Sequence, residues 1–92
     1  MTARLANNVS GTGLQPAVKI NSNGATGTVQ VDFSGTGSVQ LRGSINGVTF
    51  YDVGSAIVAS GLVTGVQLYP YMRANITANS GTCFVGVDAI YR

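Results

Sequence analysis

Histidine, glutamate and tryptophan are missing from this chain, and cysteine occurs once, as Cys83. Each absence removes a class of chemistry. Without histidine or glutamate, the general acid–base candidates reduce to Asp32, Asp52, Asp88 and the four tyrosines. The three aspartates fall on separate stretches, and none has a second carboxylate near it in sequence. Cys83 has no histidine to activate it, so it reads as a small buried thiol and not as a nucleophile. A lone cysteine forms no internal disulfide and needs no oxidising compartment, which fits the expectation of a chain made and kept in a cytoplasm. Zinc-ligand spacing, a calcium loop and a phosphate-binding glycine loop are all absent from the sequence. Gly11 and Gly13, and Gly35 and Gly37, form Gly-x-Gly pairs that join strands and open no helix. The expectation is a protein that is no enzyme and uses no cofactor or metal.

Charge is almost as scarce. Lysine, arginine and aspartate make up 9% of the chain, against about 25% in an ordinary soluble domain. The net charge is +2, and Arg4, Lys19, Arg42, Arg73 and Arg92 are scattered, so there is no nucleic-acid footprint. No stretch approaches the eighteen or so apolar residues of a membrane helix. The first eight residues lack the apolar centre of a signal peptide. The polar surface must then be serine, threonine, asparagine and glutamine. Such a surface is cheap to desolvate, because few charges lose water when a partner covers it. That suits a protein in permanent contact with neighbours, and it equally suits a small β-domain with a neutral exterior.

Hydrophobic residues supply 45% of the chain and glycine supplies thirteen residues. The most ordered pattern is residues 38–53, which read as a β-hairpin. Val39, Leu41 and Ile45 alternate with Gln40, Arg42 and Ser44, the period of a strand with one buried face. Asn46-Gly47 is a two-residue turn signal, and Val48, Thr49, Phe50 and Tyr51 return. That turn sets Ile45 opposite Val48, Gly43 opposite Phe50 and Leu41 opposite Asp52. The last pair puts a carboxylate on the apolar face. A β-bulge near Tyr51-Asp52, or a longer loop that changes the register, would turn Asp52 out and Val53 in.

Further strands are expected at residues 26–34, 62–69, 71–78 and 83–91. Residues 26–34 and the hairpin are joined by Gly35-Thr36-Gly37, which predicts antiparallel neighbours and a three-stranded meander over 26–53. The stretch at 62–69 is irregular around Gly65, and Pro70 marks a strand start or an edge. Residues 83–91 carry apolar groups on both faces, the mark of a central strand. Asn21-Ser22-Asn23-Gly24 is a turn signal, and Leu5 and Val9 belong to a short strand or an arm. Ser-Gly-Thr recurs at Ser10, Ser34 and Ser80, as turn chemistry. No segment has helical periodicity. The expected fold is one all-β domain over residues 1–92, a small antiparallel β-sandwich or jelly-roll-like barrel of about 7–8 strands. Residues 1–16 are the candidate for an extended N-terminal arm. A core this thin, with only about 60% of the unfolded surface buried, favours oligomerisation.

The most suggestive cluster for binding is Tyr69-Pro70-Tyr71-Met72-Arg73, because tyrosine and arginine are enriched in binding hot spots. Arg42 and Tyr51 are expected to join it from the solvent side of the hairpin. The plain alternative is structural: Tyr69 packs in the core and Tyr71 shields a sheet edge.

The stretch Val39-Gln40-Leu41-Arg42-Gly43-Ser44-Ile45-Asn46-Gly47-Val48-Thr49-Phe50, followed by Asp52-Val53, resembles the Gly-Ser-x-Asp-Gly-x-x-Trp hairpin of small bacteriophage virion proteins. The stretch Tyr71-Met72-Arg73-Ala74-Asn75-Ile76-Thr77 is similar to them as well, and the resemblance spans roughly residues 28–90. It implies a β-sandwich or jelly roll that sits on a capsid as decoration or cement, or forms part of a tail or fibre. Its partners would be the major capsid protein or another virion protein and further copies of itself, a trimer by analogy. Its location would be the virion, and the host cytoplasm during assembly. The same hairpin resembles that of discoidin-type carbohydrate-binding sandwiches, which carry tryptophan where this chain has Phe50 and aspartate where it has Asn46. That second resemblance implies a glycan ligand.

Overall fold

The computed structural model describes residues 2–20 and 26–88. The expected turn at 21–24 and the end of the last expected strand, 89–91, lie outside the described residues. Within them every regular element is a strand: β1 (Thr2–Ser10), β2 (Gly13–Leu14), β3 (Val18–Lys19), β4 (Thr26–Phe33), β5 (Gly37–Ser44), β6 (Tyr51–Asp52), β7 (Gly61–Gln67), β8 (Tyr71–Asn79) and β9 (Thr82–Asp88). Two antiparallel sheets result. One has the order β1-β9-β4-β7, and the other has the order β2-β8-β5-β6 with β3 also on β8. The period-two pattern explains which side chains meet between them. Val29 and Val31 of β4, Val39 and Leu41 of β5, Met72, Ala74 and Ile76 of β8, and Cys83, Val85 and Val87 of β9 are all buried. Leu5, Ala6, Ile20 and Leu68 complete the same core.

The connections obey one rule. Taken position by position, the two strand orders are joined directly: β1 to β2, β8 to β9, β4 to β5 and β6 to β7. This is the connectivity of a jelly roll, so the fold expected from the sequence is the fold observed. The three-stranded meander is not. β4 pairs with β7 and β9, whereas β5 pairs with β6 and β8. The short link after β4 changes sheets instead of turning back within one.

The reason lies in the recurring Ser-Gly-Thr. Residues 34–36 carry the chain from β4 to β5, and residues 80–82 carry it from β8 into β9. The two corners bind each other reciprocally. The Ser34 amide donates to the Thr82 carbonyl (3.0 Å), and the Ser80 amide donates to the Thr36 carbonyl (2.9 Å). The Thr82 amide donates to Ser34 Oγ (2.7 Å), and the Thr36 amide donates to Ser80 Oγ (2.8 Å). Glycine is needed between each serine and threonine because a Cβ on Gly35 would strike Ser80 Oγ, and one on Gly81 would strike Ser34 Oγ. The third copy, at 10–12, makes the crossing from β1 to β2 beside them, where Asn79 Nδ2 donates to the carbonyls of Val9 and Gly11 (both 2.9 Å).

The sheet margins are irregular. Residues 2–10 are not an extended arm but an edge strand paired along β9, with register shifts at Arg4/Ala6 and Ala6/Val9. The first shift turns both Leu5 and Ala6 into the core. β2 and β3 both lie on β8, one residue out of register with each other, and they act as one edge strand interrupted at Pro16, which has no amide to donate. Counted so, nine strands become eight. The shift between Gly27 and Val29 marks the expected irregularity of β7 near Gly65, and β9 is interior to its sheet, as expected.

The corner clasp makes a direct prediction. Ser34→Ala and Ser80→Ala should each lower unfolding free energy by about 1 kcal/mol, and Gly81→Ala by about 2–3 kcal/mol through overpacking. Urea titration should show the midpoint falling with an unchanged slope.

Candidate functional site

The central hairpin does not close at a two-residue turn. Arg42 pairs with Asp52 and Gly43 with Tyr51, one residue away from the register that Asn46-Gly47 would impose. Residues 45–50 form a longer loop, the second of the two remedies expected for Asp52. That carboxylate now points out, and Val53 packs against the core while its amide donates to the Leu41 carbonyl (2.8 Å). The cause is the Asn46 side chain, whose Oδ1 accepts from the amides of Val48 (2.8 Å) and Thr49 (3.0 Å). Ser44 Oγ donates to the same oxygen (2.9 Å) and accepts from the Gly47 amide (2.9 Å). A side chain thus replaces a backbone turn partner. Gly47, at φ 76°, takes the left-handed conformation inside this loop. Ile45 and Val48, expected on the buried face, are 77% and 82% exposed.

The loop is pinned to the outer face of the five-stranded sheet by three of the five candidate residues. Arg42 Nη2 donates to the Phe50 carbonyl (2.9 Å), and the Arg73 guanidinium lies 5.2 Å from the centre of the Phe50 ring. The Tyr71 ring lies against Gly47, where a Cβ would stand 3.3 Å from its carbons. Arg42 and Arg73 are directly opposite across β5 and β8, a like-charge pair that is unfavourable without other partners. Both have them: Arg73 Nε donates to the Gln15 carbonyl (2.9 Å), and Arg42 Nε stands 3.4 Å from Asp52 Oδ1, an ion contact without hydrogen-bond geometry.

Tyr51 and Tyr69 lie elsewhere. Because Tyr51 pairs with Gly43 and not with Arg42, it projects to the other face of the sheet, so the expected sharing of one face by Arg42 and Tyr51 is overturned by a single step of register. Tyr69, not Phe50, covers Gly43: a Cβ there would sit 2.6 Å from the Tyr69 ring. Together Tyr51 and Tyr69 flank a recess of about 460 Å³, walled also by Gly43, Ile45 and Val53. Ser44, Asn46, Thr49 and Asp52 complete its lining. The sequence reading missed Ile45, Val48 and Asn46 as surface features. The available signal was Ser44 two residues before Asn46, a spacing that lets one side chain hold the other.

A second surface occupies the outer face of the four-stranded sheet. Gln30 pairs with both Gly86 and Leu62, and Gly86 leaves a hollow of about 300 Å³ bordered by Thr28, Gln30, Leu62 and Phe84. Leu62 is 68% exposed. Asp32, paired with Phe84, and Asp88, paired with Thr28, stand at opposite ends of this face.

Among the described residues no cluster of three His, Cys, Asp or Glu residues could hold a metal ion, and no helix is long and apolar enough to cross a membrane. Cys83 is fully buried between the sheets, and that burial pushes its thiol above the ordinary value of 9.0.

Two outcomes follow. Asn46→Ala should release the loop, so that the amides of Val48 and Thr49 exchange with solvent at least tenfold faster by NMR, at a stability cost of about 1 kcal/mol. The unfolded chain ionises its thiol before the folded one does, so stability holds below about pH 9 and falls as pH rises beyond it. Urea titrations at neutral and alkaline pH should show a smaller fall for Cys83→Ala than for the unaltered chain.

Compared with known proteins, the chain matches no family model, no curated protein and no solved structure.

Proposed function

We propose that this chain works by binding and not by chemistry, as a structural subunit of a bacteriophage virion that decorates or cements the capsid. The reading begins with its hairpin, which resembles those of small virion proteins, and with its jelly-roll connectivity. The observation that carries it is the outer face of the four-stranded sheet. Leu62 is 68% exposed there beside the half-buried Phe84, and Thr28, Gln30 and Gly86 fill the middle with neutral groups. The middle of this face, between Asp32 and Asp88, loses little hydration when covered, provided that the two carboxylates stay in water at the margin of the contact. Laid across a joint between capsid subunits, it opposes their separation by burying apolar area, at about 25 cal/mol per Å² less the cost of ordering the contact. Repetition over a shell multiplies a modest contact. The major capsid protein is the partner in this reading, self-association into a closed ring such as a trimer raises the avidity, and the site of action is the virion.

The test is binding of the purified chain to assembled capsids and the temperature at which the decorated shells open. Bound chain should raise that temperature. Leu62→Asp should weaken binding at least tenfold while leaving the fold intact, because the side chain is mostly in water already. Absence of capsid binding by the unaltered chain would overturn the reading.

A further inference from the structure

We propose that Asn46-Gly47 is a self-modification site, at which the loop converts its own asparagine side chain into a carboxylate through a cyclic imide. The reaction is independent of capsid binding and turns over no outside substrate. Asparagine followed by glycine is the pairing in which the next peptide nitrogen reaches the side-chain carbonyl carbon with least hindrance, because glycine carries no Cβ. The chain has this pairing twice, at Asn23-Gly24 and at Asn46-Gly47. Around Asn46 the structure supplies the remaining parts of an acyl-transfer site.

Asn46 Oδ1 accepts from the amides of Val48 at 2.8 Å and Thr49 at 3.0 Å. Both distances lie within the roughly 2.7–3.1 Å at which amide donors stabilise a developing oxyanion. Oδ1 stays bonded to Cγ throughout, so the donors that hold the carbonyl also meet the charge that attack places on it. The Ser44 hydroxyl links the nucleophile to this oxygen: it accepts from the Gly47 amide and donates to Oδ1, both at 2.9 Å. A hydroxyl can do both at once. Ser44 is only 4% exposed, so little water competes for its place in the relay. An amide N–H lies in the peptide plane, so its bond to Ser44 leaves the perpendicular π electrons of the Gly47 nitrogen for attack on Cγ. Asn46 itself is exposed, and its Nδ2, the leaving nitrogen, donates to no group among the described residues.

The steps consume only water. The Gly47 nitrogen bonds to Cγ while its proton passes to Ser44 Oγ and the Ser44 proton passes to Oδ1, giving a neutral tetrahedral carbon. Transfer of the Oδ1 proton to Nδ2, breakage of the Cγ–Nδ2 bond and loss of ammonia leave the cyclic imide. Water then adds at Cγ, where the Val48 and Thr49 amides again take the charge, and the Gly47 nitrogen departs with a proton. The product is an ordinary aspartate, with the main chain restored and the net charge of +2 lowered by one. Its carboxylate accepts the same amides more strongly than the neutral carbonyl does. Asn79 has the opposite arrangement. Its Nδ2 donates to the carbonyls of Val9 and Gly11 (both 2.9 Å), and the amide that follows it, of Ser80, donates to the Thr36 carbonyl, which cannot pass a proton on. Asn79 is therefore a brace, and Asn46 a reactant.

The experiment is intact-mass spectrometry with peptide mapping of the full chain, incubated folded and, in parallel, unfolded in guanidinium chloride at the same pH. Asn46 should convert at least tenfold faster in the folded chain than in the unfolded one. The cyclic imide should appear as a loss of ammonia, and Asn79 should stay intact. The folded chain should yield mainly aspartate, whereas an unconstrained cyclic imide opens mainly to isoaspartate. In the unfolded chain the Gly47 proton goes to hydroxide, so the rate should climb with pH. In the folded chain the Ser44 relay should keep the rate level across neutral pH. Ser44→Ala should slow conversion at least tenfold and bring back the climb with pH. The comparison of folded with unfolded uses the unaltered chain, so it decides the matter even where Ser44→Ala does not fold. The proposal is overturned if Asn46 converts less than tenfold faster in the folded chain, or if isoaspartate predominates there. It is overturned equally if the folded rate climbs with pH as the unfolded rate does, or if Ser44→Ala folds and converts as fast as the unaltered chain.

Discussion

Two serine hydroxyls, Ser34 Oγ and Ser80 Oγ, hold the two sheets in their mutual arrangement, because each accepts an amide from the corner opposite its own. At these corners the backbone leaves one sheet and enters the other, so its amides and carbonyls lack ladder partners. Burying or half-burying such groups unpaired is costly. The chain solves the problem twice with one tripeptide, each copy satisfying the other. The relation is close to two-fold: Ser34 stands to Thr82 as Ser80 stands to Thr36. Exchanging the copies also exchanges β4 with β8 and β5 with β9, the four strands that hold the centre of both sheets.

Everything apolar rests on that alignment. Val29 and Val31 face Val39 and Leu41 from the two sides of one corner, and Met72, Ala74 and Ile76 face Cys83, Val85 and Val87 from the two sides of the other. These small and medium side chains leave little room for slippage. With so few charges in the chain, specificity of pairing comes from close fit and from backbone partners, not from ion pairs. The contact of Arg42 with Asp52 at 3.4 Å is largely exposed and contributes little by itself. Arg42 matters more as the donor that holds the Phe50 carbonyl.

The fold class and the inward faces of β4, β8 and β9 were legible because alternation along a strand is a local property. Which strands pair was less so. A three-residue link such as Gly35-Thr36-Gly37 looks alike whether it closes a hairpin or crosses between sheets, and the choice was decided by residues 80–82, distant in sequence. The register of the hairpin failed for a similar reason. Asn46-Gly47 favours a tight turn, but Asn46 Oδ1 gathers two amides of its own loop and widens it. One step of register then separated Tyr51 from Arg42. The grouping of Arg42, Tyr71 and Arg73 survived, because their alternation on β5 and β8 did not depend on the turn, though they support the loop before they present anything to solvent.

The strand orders also bear on how the chain reaches this state. β8 lies between β2 and β5, and β9 lies between β1 and β4. Neither β1 nor β2 therefore meets a sheet neighbour until the last two strands have been made. A ribosome-bound chain that ends before β8 holds only β4 paired with β7 and β5 paired with β6, with long edges open. Closure waits for the second serine corner to reach the first, so the interior of both sheets assembles late and in one step, dominated by contacts between distant parts of the chain.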